Sequence, residues 1–172
     1  MLNIKPPKYS FCPFCGNKLG LTVVDRTNFK HCQGCNWTYY PHIGAAACGV
    51  AVRGKKVLLV KRAREPYKDT WMLPAGYVSY GEHPKDTVVR EIAEETGYKA
   101  MVIKLLNIEQ VGDDPRSIGH FGFFYQVNLE GKIKPADKEE NSEIDWFDLK
   151  NLPPVGWHGH KNILKQLGGV FK

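Results

Sequence analysis

The chain lacks a long apolar run. Its longest weakly polar stretch, Ile43 to Val52, is ten residues, about half of what a bilayer-spanning helix requires. The N-terminus, Met1-Leu2-Asn3-Ile4-Lys5-Pro6-Pro7-Lys8, contains no apolar segment of the kind that directs secretion. These two absences argue against a membrane protein and lead to the expectation of a cytoplasmic one. Internal repeats and low-complexity segments are missing as well, which sets aside solenoids and repeat arrays. Nor is there an overwhelming charge of one sign. The net charge of +6 is unevenly placed: residues 1–44 carry five Lys and Arg against one acid, 45–98 nine against seven, and 99–172 ten against ten. A basic first segment can attract nucleic acid or a polyanionic substrate, and solubility explains it equally well. What is present is ordinary. With 172 residues, 42% hydrophobic and 24% charged, the chain has room for one globular domain and a small appendage.

The cysteines mark the appendage. Cys12 and Cys15 form one C-x2-C pair and Cys32 and Cys35 a second, sixteen residues later, a spacing that suits a tetrahedral four-thiolate Zn²⁺ site. Two disulfides are the competing arrangement, disfavoured where no export signal is seen. Four thiolates close the coordination shell, so such a site is structural, and His31 beside Cys32 is not needed as a ligand. Gly16, directly after Cys15, and Gly34, inside the second pair, suit tight turns around the thiolates. Leu21 to Val24, the stretch around Phe29 to His31, and Trp37 to Tyr40 read as short strands. Some 40 residues bury too little apolar surface to fold alone, so a metal-stapled ribbon over residues 1–40 is the expectation, with a second domain over 41–172. Cys48, in the apolar strand after Gly44, reads as a small core residue.

The chemistry is concentrated between Gly76 and Tyr98. Glu91, Glu94 and Glu95 are related as i, i+3 and i+4, which on a helix places them within an arc of roughly 100°. Val88, Val89, Ile92, Ala93 and Thr96 fall on the adjoining arc, as expected of a helix that packs one side on a core. Pro84 suits the first turn and Gly97 the stop. Carboxylates at this spacing repel one another unless a cation neutralises them, and clustered hard oxygens suit Mg²⁺ or Mn²⁺. A solvated acidic helix face is the plainer alternative. The surroundings weigh against it, because Gly76, Glu82, Arg90, Glu91, Ile92, Glu94, Glu95 and Gly97 match G-x5-E-x7-R-E-U-x-E-E-x-G-U, where U is bulky and apolar. The stretch resembles the Nudix box, and Tyr98, where an aliphatic residue is usual, is its one soft departure.

The rest of the chain fits a mixed sheet with a helix on each side. Gly44 to Val52 and Lys56 to Lys61 read as strands joined by a turn at Arg53-Gly54-Lys55, and Trp71 to Val78 as a short strand running into a loop. Beyond the box, Ala100 to Ile108 and His120 to Leu129 read as strands, Glu143 to Phe147 as an edge strand, and a final helix runs from near His158 toward Leu167. The resemblance implies the Nudix α/β/α sandwich over roughly residues 41–172.

It also implies a reaction. The helix carboxylates, joined by the backbone carbonyl of Gly76, would hold the divalent cations, while Glu82 and Arg90 would form a structural ion pair. A general base is required; a box glutamate or Glu139, Glu140 or Glu143 downstream are the positions for it, and the sequence does not choose. Arg62 and Arg64, one loop before the box, are either exposed charge or contacts to substrate phosphates. Tyr77, Tyr80 or Phe123 could stack on adenine or flavin. The implied substrate is a small-molecule nucleoside diphosphate linked to another moiety. A ribbon before the box resembles NADH pyrophosphatases, but their S-Q-P-W-P-F-P-x-S run is absent. Pro115, seventeen residues after Tyr98, resembles the proline that marks ADP-ribose hydrolases. The ribbon with a Leu73-Pro74-Ala75-Gly76-Tyr77 entry is similar to ADP-ribose and FAD pyrophosphatases. ADP-ribose is therefore the first expectation, with FAD or NADH behind it. The alternatives are a nucleoside triphosphate pyrophosphatase, or a module using the ribbon to bind nucleic acid or to form a homodimer; nucleic acid is disfavoured because no box carboxylate is missing.

Overall fold

The computed structural model describes residues 9–114, 119–134 and 139–170. Pro115, which the resemblance linked to ADP-ribose, lies outside them. The chain forms two compact units, residues 1–43 and 44–172.

The first unit is a three-stranded antiparallel ribbon, β1 (Gly20–Val24), β2 (Thr27–His31) and β3 (Thr38–Tyr39), in that order. Asp25 and Arg26 between β1 and β2 both take positive φ, 46° and 65°, the twist that a two-residue hairpin turn needs. Its small core is Cys12, Leu19 and Cys32 with Trp37 against them. Two of these are cysteines, which is why apolar burial alone could not hold the unit.

The second unit is a seven-stranded mixed sheet. Its main path runs β10 (Asn141–Asp148), β5 (Lys56–Arg62), β4 (Ala45–Arg53), β9 (His120–Glu130), β8 (Lys99–Val111), with β6 (Trp71–Met72) added to β5 and β7 (Ala75–Tyr77) to β4. The segment read as one strand from Trp71 is thus two short strands separated by Leu73-Pro74. β4 is parallel to β9 and antiparallel to β5 and β7. Because successive side chains alternate, β4 serves two cores: Cys48 and Val50 face Phe124, Ile163 and Leu164, whereas Ala47 and Ala51 face Val88, Ile92 and Tyr125. The helices that close these cores are α1 (Pro84–Thr96) and α2 (His158–Val170), one on each face, which gives the α/β/α sandwich. No helix among the described residues is long and apolar enough to cross a membrane.

Helix α1 positions the acidic cluster. His83 caps its start, Nδ1 accepting from the Lys85 N–H at 3.0 Å, and Pro84 follows in the first turn. Gly97 ends it at φ 77°, with its N–H on the Ala93 carbonyl, a backbone region that glycine occupies at least cost. The packed side differs from the expected one. Thr87, Val88, Ile92, Glu95 and Thr96 are buried, while Val89 is 36% exposed. The contact arc is rotated toward Glu95, one of the three carboxylates. Tyr98 is buried as an aliphatic residue would be, with Arg53 over its ring.

Candidate active site

The three helix carboxylates have three different environments. Glu94 is exposed, Glu91 is half-buried, and Glu95 is buried. Glu95 turns into the molecule, where Oε2 accepts from the Ala75 N–H and Oε1 from Asn141 Nδ2, both at 2.9 Å. Burial pushes its carboxyl up to about 8, the Asn141 hydrogen bond works against that rise, and the charge of Glu91 adds to it. Burial also raises Glu91, against the pull of Arg90.

Arg90 supplies from within the chain part of the positive charge that the cluster requires. Its Nη1 donates to Glu91 at 2.6 Å and to Glu94 at 3.0 Å, while Nε and Nη2 grip Glu82 at 2.9 and 3.0 Å. Glu82 also accepts from the Ser79 N–H and the Thr87 hydroxyl. The Arg90 hydrogen bond, with those two donors, holds Glu82 down to about 2. The loop ahead of α1 is thereby tied to the helix by a two-pronged ion pair.

Gly76 lies where β7 passes the helix. A Cβ built on it would overlap the Glu91 carboxylate, so this position needs hydrogen as its side chain for Glu91 to stay where it is. The backbone of β7 and the Glu91 carboxylate thus share one small space, whose hard oxygen suits a divalent cation. Among the described residues the three carboxylates of α1 are not drawn together as the four cysteines are, Glu95 being turned to Ala75 and Asn141.

That space opens into a cavity of about 260 Å³ whose lining includes Gly76, Tyr77, Glu91, Glu94, Arg64 and Glu140. Of the three downstream glutamates, Glu140 lines the cavity, paired with Arg64 at 2.5 Å. Glu143 is held outward on β10 by Lys61 at 2.7 Å, and Glu139 is exposed in the turn before β10 without lining the cavity. Arg62 lines the cavity but is buried, its Nε donating to the Pro66 carbonyl and its guanidinium over Trp157. Of the three candidate aromatics, Tyr77 is at the cavity; Phe123 packs on the α1-side core and Tyr80 is fully exposed.

Cys48, His160, His120 and Asp114 also line the cavity. Nothing in their spacing links them, because they come from β4, α2, β9 and the loop after β8, and only the fold brings them together. Cys48 Sγ is 3.7 Å from His160 Nε2, which would suggest a nucleophile and its base. The protons exclude that: His160 Nδ1 accepts from the Leu73 N–H at 3.0 Å, so Nε2 carries the ring hydrogen and cannot take one from the thiol. Burial pushes His160 down to about 3 and raises the Cys48 thiol. The pair is a neutral part of the core.

In the first unit, the Sγ atoms of Cys12, Cys15, Cys32 and Cys35 lie within 4.8 Å of one another, with 3.6 Å between Cys12 and Cys35 and 3.4 Å between Cys15 and Cys32. None of the four is in a disulfide. A tetrahedral ion with Zn–S bonds of 2.3 Å sets sulfurs about 3.8 Å apart, so the cluster is the right size for a metal. The turns after the two pairs match: Gly16 follows Cys15 at φ 73° and Asn36 follows Cys35 at φ 59°. Asn36 therefore takes the place expected of Gly34, because the left-handed residue comes after the pair. His31 instead hydrogen-bonds Thr38 through Nδ1 at 3.0 Å.

Comparison with known proteins gives a consistent picture. A model of the NUDIX domain family matches residues 41–167. An ADP-ribose pyrophosphatase of Methanocaldococcus jannaschii is 38% identical over 154 residues, covering 87% of this chain and 85% of that protein. An NAD-capped RNA hydrolase NudC of Vibrio cholerae is 32% identical over 152 residues, and there the chain spans only 53% of the relative's length. The crystal structure of a NUDIX hydrolase from Nitrosomonas europaea superposes with a TM-score of 0.79 at 23% identity, covering 94% of this chain and 91% of that one, which speaks to the fold.

Proposed function

The chain belongs to the NUDIX domain family, and on that premise we propose that it hydrolyses the pyrophosphate bond of an ADP-linked small molecule, ADP-ribose first and FAD or NADH after it, releasing AMP. The observation that carries the reading is the cavity in which Gly76, Glu91 and Glu94 stand beside Arg64, Tyr77 and Glu140. The similarity to an ADP-ribose pyrophosphatase over most of both chains selects the substrate class.

Glu91, Glu94, Glu95 and the Gly76 carbonyl would hold Mg²⁺ or Mn²⁺. When bound, such a cation offsets the charge of a pyrophosphate and acidifies water for attack on phosphorus. The residues of the chain do the rest. Arg64, exposed in the cavity lining beside Glu140, would meet a phosphate oxygen. Glu140 accepts the proton of the attacking water, since it is the downstream glutamate that lines the cavity. Tyr77 offers a ring face for the base or sugar. Arg90 and Glu82 keep the loop against α1. Zn²⁺ in the four-cysteine cluster staples the ribbon and has no open position for chemistry.

Turnover of ADP-ribose, NADH, FAD, diadenosine polyphosphates and 8-oxo-dGTP with Mg²⁺ or Mn²⁺ tests the reading. AMP from ADP-ribose is expected. Activity on nucleoside triphosphates alone, with no AMP from any ADP-linked compound, would overturn it. A second reading, removal of an NAD cap from RNA, is favoured by the NudC relative, whose alignment with this chain is long enough to reach into the ribbon; NAD-capped RNA belongs in the same panel.

A further inference from the structure

Glu140 lines the cavity from the turn just before β10, and the next residue, Asn141, is only 1% exposed. Glu143, two residues further on, points outward to Lys61 with 55% of its side chain exposed. In a regular strand, residues i and i+2 share a face, so one of the two has been turned. A bulge does the turning: Asn141 pairs with Arg62 and Glu143 with Lys61, so β10 advances two residues while β5 advances one. Bulges re-aim side chains in this way. Here the bulge sends the Asn141 amide inward, where Nδ2 donates to Glu95 Oε1 at 2.9 Å. A buried amide is costly to keep unless it is hydrogen-bonded, and this bond runs from β10 to α1.

We propose that Asn141 is a positioning residue for the hydrolysis, tying the start of β10, and with it Glu140, to Glu95 of α1. The inference rests on the reading of Glu140 as the acceptor of the water's proton and deepens it. Glu140 is fastened to the end of β5 and the residues after it: its carbonyl accepts from the Ala63 N–H at 3.0 Å and its carboxylate from Arg64. Neither contact reaches α1. Asn141 follows Glu140 directly, about 3.8 Å away along the backbone, and supplies the contact with the helix. Glu95 is held from its other oxygen by the Ala75 N–H at 2.9 Å, and Ala75 precedes Gly76. Glu140, Asn141, Glu95, Ala75 and Gly76 thus form one connected path from the proton acceptor to the glycine that stands against Glu91. Without the amide, the base keeps its chemistry and loses its placement relative to α1, and placement is what a reacting group depends on.

Asn141→Leu removes the amide at similar volume, and Asn141→Ala takes its place if the leucine variant does not fold. In steady-state hydrolysis of ADP-ribose with Mg²⁺, the variant should lose about tenfold or more in kcat with KM within about threefold, the split expected when the reacting group is misplaced and the substrate still binds. In a Glu140→Gln background the same substitution should change kcat by less than about twofold, because the group it positions is already gone. A second readout needs neither metal nor substrate. In the metal-free protein, hydrogen exchange at the Ala63 amide, which is bonded to Glu140, should speed up by about tenfold or more while the amides between β4 and β9 keep their rates. Wild-type kcat in the folded variant, an undiminished loss in the Glu140→Gln background, or unchanged exchange at Ala63 would overturn the inference while leaving the reaction intact. A wild type that cleaves no ADP-linked pyrophosphate overturns the proposed function and this inference with it.

Discussion

Replacing Gly76 with alanine adds one methyl group where β7 passes α1, and it separates a role in the site from a role in the fold. The backbone at Gly76 is not in the left-handed region, so alanine introduces no strain of its own. The new Cβ would overlap the Glu91 carboxylate, and the obstacle is the end of a flexible side chain, which can swing aside. Moving it breaks the 2.6 Å contact with Arg90. A partly exposed pair of this kind contributes about 0.2–1 kcal/mol, and an off-rotamer side chain costs about 0.5–1.5 kcal/mol. Alanine returns about 0.4–1 kcal/mol by restricting the unfolded chain. The net loss is about 1 kcal/mol, or a Tm lowered by about 2–4 °C for a chain of this size. Activity should suffer far more, since an ångström of misplacement at a reacting site costs about 100-fold. AMP release from ADP-ribose and a thermal melt read the two effects side by side. Combining Gly76→Ala with Glu91→Ala should cost no more stability than Glu91→Ala alone, because the clash has lost its partner. Activity within threefold of wild type, or additive stability losses in the double variant, would refute the reasoning.

Three further outcomes follow from other parts of the molecule. Glu95, raised to about 8 by burial from an unfolded value near 4.3, holds a proton that the unfolded chain has lost between those values. Its contribution is therefore fully present at low pH and is lost as pH rises toward 8. In magnesium-free buffer Glu95→Gln should escape this loss, with the amide oxygen of Asn141, which has no hydrogen-bond partner among the described residues, free to receive the new NH₂. Urea unfolding should show the variant gaining on wild type by on the order of a few kcal/mol between pH 5 and 8, and parallel pH profiles would contradict this. Glu140→Gln should lower kcat by about 100-fold or more, the size of a lost general base, while Glu143→Gln, paired outward with Lys61, should stay within about twofold on the usual scale of exposed ion pairs; equal effects in steady-state assays would remove Glu140 from its role. Elemental analysis of protein purified without added metal should find close to one zinc per chain, and the Cys32→Ser protein should lose both the metal and the ribbon's protected amides. Four disulfide-bonded cysteines would dispose of the zinc.

The sequence alone determined what depends on spacing along the chain. Three glutamates at i, i+3 and i+4, Pro84 and Gly97 at the helix ends, and two C-x2-C pairs are local patterns, set by 3.6 residues per turn and by the reach of a short loop around one ion. The continuous apolar runs of β4 and β5 likewise announced strands covered on both faces. Tertiary structure decided which way each group points and what it meets. A helix pattern places Glu91, Glu94 and Glu95 on one arc, but only packing against β7 and β10 turns Glu95 inward to Ala75 and Asn141, leaves Glu94 in water, and lets Arg90 bridge Glu82, Glu91 and Glu94. The downstream glutamates look alike in sequence, and the register of β10 against β5, which pairs Glu143 with Lys61, separates them. Cys48, Asp114, His120 and His160 come from distant segments whose meeting no local period encodes. Hydrogen bonds and burial between such segments depend on the closed sheet and its two helices, and so the roles of these side chains could be read only after the chain had folded.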